Sequence, residues 1–144
     1  MRLYRDKRGA IFAYFAVIMV FLMVPLSSLA IDIVRGMYVR GHLHTATDAA
    51  CQAAADALDA PLFVQTGQKQ IKSSLARSQA NQVFYATLVD ADNIRFTPSV
   101  QVQIVAPTKA HCTARASVAR LIPGTPDMNV VTFTESEMRV NTLN

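Results

Sequence analysis

Apolar positions fall into three regimes along the chain. From Gly9 to Ile31, in GAIFAYFAVIMVFLMVPLSSLAI, 23 residues pass without one charged side chain. From Ile33 the apolar positions thin to Ile33, Met37, Leu43, Ala46 and Ala50, spaced as one face of a helix. A weaker helical pattern, Ile71, Leu75, Gln79, Val83 and Leu88, follows between about Gln68 and Leu88. From Ile94 the period changes to two: Ile94 and Phe96, then Val100, Val102 and Ile104, then Cys112, Ala114, Ala116 and Val118, and last Val130 to Glu135.

The first regime has the length of a membrane anchor, since about 20 apolar residues cross a hydrocarbon layer of about 30 Å. The leader MRLYRDKR carries Arg2, Arg5, Lys7 and Arg8 against Asp6. By the positive-inside rule this basic flank holds the N-terminus in the cytoplasm and places residues 32–144 outside. A cleaved secretory signal shares the basic start, and SSLA imitates its cleavage site, but its apolar core is only about 7–15 residues long. The expected organisation is therefore a basic leader (1–8), a transmembrane helix (9–31), an extramembrane continuation (32–60) and a small head (61–144).

The continuation is expected to be unbroken. TATDAACQAAADALDA has high helix propensity, and Pro61, which pushes the residue before it out of the helical region, marks the end near Asp59. One helix of roughly 50 residues, about 75 Å long, results. Pro25 is expected to kink it. Gly36 and Gly41 imply a hinge or the close approach of another helix. Thr66 is the candidate cap of the second helix, Asp90 to Asn93 reads as a turn, and APTK and PGTPD separate three strands. Three antiparallel strands cannot bury their apolar face alone, so they must lie on the helices. The fold class is α+β: a long N-terminal helix, a second helix and a small antiparallel sheet.

Charge and chemistry narrow the function by exclusion. The net charge is +4, of which the leader supplies +3. No basic face for phosphate and no aromatic platform for bases remains in the head, so nucleic acid is not an expected partner. His42 and His44 stand two apart and point to different sides of a helix, and His111 is distant; no metal site is expected. No phosphate loop, GxSxG or HExxH occurs. Asp48, Asp56 and Asp59 read as a wetted helix surface, and Asp90 and Asp92 as turn residues. We expect no enzyme, cofactor or small-molecule substrate.

The two cysteines, Cys51 and Cys112, lie on the outer side of the membrane in this topology, where disulfides persist. A bridge between them would close a loop of about 60 residues, worth about 4 kcal/mol in the chain-entropy model. The alternative is two buried free thiols.

The segment from Arg5 to Leu58 resembles the N-terminal module of TadE/TadG-like proteins of the Flp (Tad, tight adherence) pilus system. The likeness rests on Arg8-Gly9-Ala10, on Ala30-Ile31-Asp32-Ile33-Val34-Arg35 and on Thr47-Asp48-Ala49-Ala50 through Ala55. It covers about 50 of 144 residues, with a weaker likeness in the strands. The resemblance implies a pilin-like fold and a pilus-assembly component or minor pilin-like subunit in the bacterial inner membrane. Its long helix would pack laterally on itself or on other Tad components through Ile33, Met37, Leu43, Ala46 and Ala50, and its head would face the periplasm or a surface filament. It also marks Gly9 and Ala10 as a candidate leader-cleavage point. Here the sequence departs from the prepilin pattern: Tyr14 stands at the fifth position after Gly9, where a glutamate is usual, and no acid occurs between Gly9 and Asp32. The alternative function is an anchored envelope binding or adhesion module outside any filament.

Overall fold

The computed structural model describes residues 7–88, 96–121 and 124–139. Helix α1 (Lys7–Ala55) runs 49 residues without interruption. Pro25 lies inside it and does not end it. The helix stops four residues earlier than Pro61 suggested, because Ala57 and Leu58 leave the helical path. The Leu58 amide bonds the Asp56 carbonyl at 2.8 Å, and Leu58 forms a bridge with Ile71.

Pro61 opens the next element instead of closing the first. It stands in the first turn of α2 (Ala60–Thr66), where its missing N–H needs no partner. This short helix was not anticipated. Thr66, the expected cap of the second helix, is the last residue of α2, and its hydroxyl donates back to the Leu62 carbonyl at 2.8 Å. Gly67 terminates α2 in the left-handed region (φ 70°) and bonds the Phe63 carbonyl, a conformation that suits glycine.

Helix α3 (Ser73–Thr87) buries Ala76, Ala80 and Phe84. The expected stripe Leu75, Gln79 and Val83 is therefore displaced by one position: Leu75 is exposed and its two successors are only partly covered. Alanine carries little hydrophobic signal, yet its small side chain lets α3 approach the alanine-rich end of α1 closely. Ile71 and Leu88, at the ends of the stripe, are buried as expected.

The sheet has the order β1-β2-β3 and is antiparallel throughout. Strand β1 (Phe96–Ala106) pairs with β2 (Lys109–Val118) across the Pro107–Thr108 turn, and β2 pairs with β3 (Met128–Glu137). Pro98 sits within β1, which is tolerated because β1 is an edge strand. Ile94 and the Asp90 to Asn93 turn lie outside the described residues.

Alternation on β2 is strict: Ala110, Cys112, Ala114, Ala116 and Val118 point inward. On β3 the inward set is Val130 and Thr132, with Val131 and Phe133 turned out. Helix α1 lies across β2 and β3, and α3 lies against α1 and β1. One core results, built from Val39, Leu43, Ala46, Ala50, Cys51 and Ala54 of α1, Ala76, Ala80 and Phe84 of α3, and the inner face of the sheet. Burying a helix–sheet seam lined with alanine brings the backbones close, and among the described residues no element packs on the other face of the sheet.

Candidate functional site

Helix α1 has two surfaces above the uncharged stretch. Gly36, Val39, Leu43, Ala46, Thr47 and Ala50 recur every three or four residues and are all buried against the head. The opposite side is apolar and open. Ile33 is 50% exposed, Val34 66%, Met37 70% and Tyr38 45%. With Gly41, which has open space over its Cα, Val34, Met37 and Tyr38 form an i, i+3, i+4, i+7 stripe. The Tyr38 ring is braced by His42, with centroids 4.2 Å apart.

This arrangement divides the five residues expected to pack against another helix. Leu43, Ala46 and Ala50 are fully buried inside this chain, so their lateral partner is the head. Ile33 and Met37 remain available. Sequence reasoning missed Val34 and Tyr38 because it followed one stripe down the whole helix, whereas the helix presents one stripe inward and another outward. Beside the outer stripe runs a groove lined by Ile33, Gly36, Met37 and Arg40 of α1 and by Met128 to Val131 of β3. Its floor depends on Gly36: a Cβ there would collide with the terminal atoms of Met128. The close approach expected at this glycine is thus made by a strand.

Below the groove, two charged residues tie the head to the helix. Asp32 accepts a hydrogen bond from the Leu121 amide at 3.2 Å, and Arg35 Nη1 donates to the Ala119 carbonyl at 3.4 Å. Asp32 and Arg35 also face each other at 4.0 Å. They are the Asp and Arg of the AIDIVR segment. Higher up, Asp48 accepts a hydrogen bond from the Thr134 hydroxyl at 2.5 Å and meets His44 Nδ1 at 2.9 Å, clamping α1 to β3.

Cys51 and Cys112 face each other in the core, from α1 and from β2, with neither exposed to solvent. Both are unbridged thiols in this structure. Cys51 Sγ also lies 3.4 Å from the Ala110 and Thr134 carbonyls. The contact with the Cys51 sulfur, followed by burial, raises the Cys112 pKa far above the usual thiol range. The same contact draws Cys51 down. The two thiols titrate as a pair, and their mutual contact and burial hold one of the two protons well above the usual thiol range.

The Gly9–Ala10 bond lies near the start of α1, and Gly9 is exposed. Among the described residues no group of three or more His, Cys, Asp or Glu is placed to hold a metal ion. One described helix, α1, is long and apolar enough to cross a membrane; its apolar window has a mean hydropathy of 2.4 and none of it is buried.

The chain is thus an α+β protein whose apolar N-terminal helix runs on into the core of its own head. Residues 9–57 match the Tad family, described as Flp pilus-assembly TadE/G-like; the chain carries a TadE/G-like segment there, and the resemblance expected from the sequence holds over it. The match begins at Gly9 and ends two residues beyond α1, so it takes in the apolar stretch, the Asp32–Arg35 clamp, the outer stripe and Cys51. The sheet lies outside it. No curated protein and no solved structure matches the chain.

Proposed function

We propose that this chain is a membrane-anchored Flp/Tad pilus-assembly component, or a minor pilin-like subunit, that docks on other Tad components through the outer face of α1. The match over residues 9–57 supports a Flp/Tad-related role. The observation that carries the finer reading is the exposed stripe of Ile33, Val34, Met37, Tyr38 and Gly41 directly above the uncharged span. Soluble surfaces rarely leave so large an apolar strip bare on a rigid helix, and such strips mark interaction sites. A small residue such as Gly41 within it lets a second helix come close. The basic leader supports a cytoplasmic N-terminus and an outward head, and on that side oxidation of the Cys51–Cys112 pair to a disulfide is favoured.

Site-specific photocrosslinking in membranes tests the docking face. A photoreactive side chain at Val34, Met37 or Tyr38 should give discrete adducts with a second copy or another Tad component, and one at Leu43 or Ala46 should give only intramolecular products. Adducts from none of the three outer positions would sink the reading and leave the anchored binding module in its place. Sequencing the N-terminus of the membrane-bound protein decides processing: Ala10 at the terminus establishes cleavage after Gly9, and Met1 excludes it.

A further inference from the structure

The loop that follows β2 reaches down beside the apolar span. Leu121 lines a largely apolar, open cleft with Met23, Val24, Pro25, Ser27, Ser28 and Ile31 of α1. Its backbone is held there by the bond from its amide to Asp32, and the preceding turn by the bond from Arg35 to the Ala119 carbonyl. Leu121 is itself 52% exposed, as are Leu29 at 54% and Ile31 at 47% on the helix beside it.

Depth follows from helix geometry. Met23 and Ile31 are eight residues apart, about 12 Å along the axis, and the whole uncharged stretch is about 34 Å long, close to the thickness of a hydrocarbon core. Any bilayer position that covers Gly9–Ile31 therefore also reaches the cleft in which Leu121 sits. Arg120, one residue back, is exposed, at the level where a guanidinium on an apolar stem meets lipid phosphate. Asp32, the first charge after the span, is brought to this boundary with its carboxylate already bonded, which lowers the cost of a charge so near hydrocarbon.

We propose that the 119–121 loop is a membrane foot: Leu121 inserts among the outer-leaflet acyl chains beside α1, Arg120 pairs with headgroup phosphate, and the Asp32–Arg35 clamp fixes the foot to the helix. The proposal rests on the reading of residues 9–31 as a bilayer-spanning anchor. Its consequence is mechanical. A single helix leaves a head free to swing about the point where it leaves the bilayer, whereas a helix and a foot give two points of support, so the head and the outer stripe of α1 are presented at a fixed height and tilt.

The chain contains no tryptophan, which makes the test direct. Leu121→Trp, Val24→Trp and Phe133→Trp are each introduced alone into the full chain and reconstituted in phosphatidylcholine–phosphatidylglycerol vesicles. The acyl chains carry bromine near the glycerol end, and emission is compared with that in unbrominated vesicles. Val24→Trp reports the anchor, and Phe133→Trp, on the bare face of the sheet, reports non-specific quenching. The foot predicts that Leu121→Trp loses most of its emission, as Val24→Trp does, and that Phe133→Trp keeps its own. Quenching of Val24→Trp without quenching of Leu121→Trp overturns the foot and leaves the anchor intact. Absence of quenching at Val24→Trp overturns both, and equal quenching at all three positions overturns the foot by showing that the head lies on the membrane without preference.

Discussion

The hydroxyls of Thr47 and Thr132 lie 2.9 Å apart across the seam between α1 and β3, and both side chains are buried. Thr47 donates its proton to the Leu43 carbonyl at 2.5 Å, so Thr132 is the donor within the pair. Together with the neighbouring bond from the Thr134 hydroxyl to Asp48, this contact joins α1 to β3 through polar side chains. A shift of β3 by one residue would turn Thr132 to the outer face of the sheet and break the contact.

Thr132→Val removes the donor and leaves the Thr47 oxygen without this partner. The expected loss is about 1–2 kcal/mol of head stability. The double variant Thr47→Val, Thr132→Val should cost clearly less than the two single changes added together, since both buried polar atoms disappear and the volume is kept. Urea unfolding of the detergent-solubilised chain, followed by circular dichroism of the head, measures the cycle; strict additivity would show that the pair is not coupled.

Two glycines on one helix should respond in opposite ways. Gly41→Ala meets open space, so it should stabilise the isolated chain by about 0.5–1 kcal/mol through helix propensity and lost unfolded-state freedom. Gly36→Ala must displace the end of the Met128 side chain, which offsets the same gain and should leave little net change. Gly36→Leu cannot be absorbed in this way and should destabilise by more than 1 kcal/mol while opening the groove between α1 and β3. Thermal melts of the three variants under one detergent condition rank them, and equal shifts for Gly36→Ala and Gly41→Ala would refute the close contact with Met128.

Much of this architecture could be read from the pattern of side chains. The uncharged run, the alanine-rich continuation and the strict alternation of Cys112, Ala114, Ala116 and Val118 each gave an element of the right type, and together they imposed an α+β head on a long helix. The failures share a cause. Pro61 is compatible both with the end of one helix and with the first turn of the next, and only the tertiary path of Ala57 to Asp59 decides between them. The α3 stripe was displaced by one residue because Ala76 and Ala80 are chosen for size, which hydropathy does not record. The division of α1 into an inner and an outer stripe depends on where the sheet docks, and nothing local to residues 33–50 specifies that. The Asp32 and Arg35 contacts with the 119–121 loop join positions more than 80 apart in the chain and left no periodic trace.

The thiol pair predicts an alkaline instability that oxidation removes. In the reduced chain Cys112 stays protonated when folded, because of its contact with Cys51 and its burial, and ionises near pH 8.5 when unfolded. Its contribution is therefore complete below about pH 8.5 and is lost as pH rises further, at up to about 1.4 kcal/mol per pH unit. The lowered pKa of Cys51 acts in the other direction, below the unfolded thiol value, so stability should rise slightly toward pH 8.5 before it falls. Forming the disulfide removes both protons, flattens the profile and adds about 4 kcal/mol by closing the loop between residues 51 and 112. Melting curves from pH 7 to 10 with and without reductant test this, and non-reducing mass analysis of the protein isolated from cells shows which form is native. Two free thiols there would refute the disulfide while leaving the pH profile in force.

Assembly and folding should separate on α1. Val34→Asp and Met37→Asp place a charge on the outer stripe, where the side chains already meet solvent, and surface changes of this kind usually move stability by no more than about 0.5 kcal/mol. Ala46→Asp places the same charge against the inner face of the sheet, at a position with no solvent exposure, and an unpaired buried carboxylate should cost several kcal/mol. If the outer stripe is the docking face, the first two variants reach the membrane in normal amount with an unchanged melt, yet are lost from complexes with a second copy or other Tad components. Ala46→Asp fails earlier, at folding, and is degraded. Native gel analysis of gently solubilised membranes, paired with immunoblotting for total protein, distinguishes the two outcomes. Wild-type assembly by Val34→Asp and Met37→Asp together would take the docking function off the outer stripe of α1.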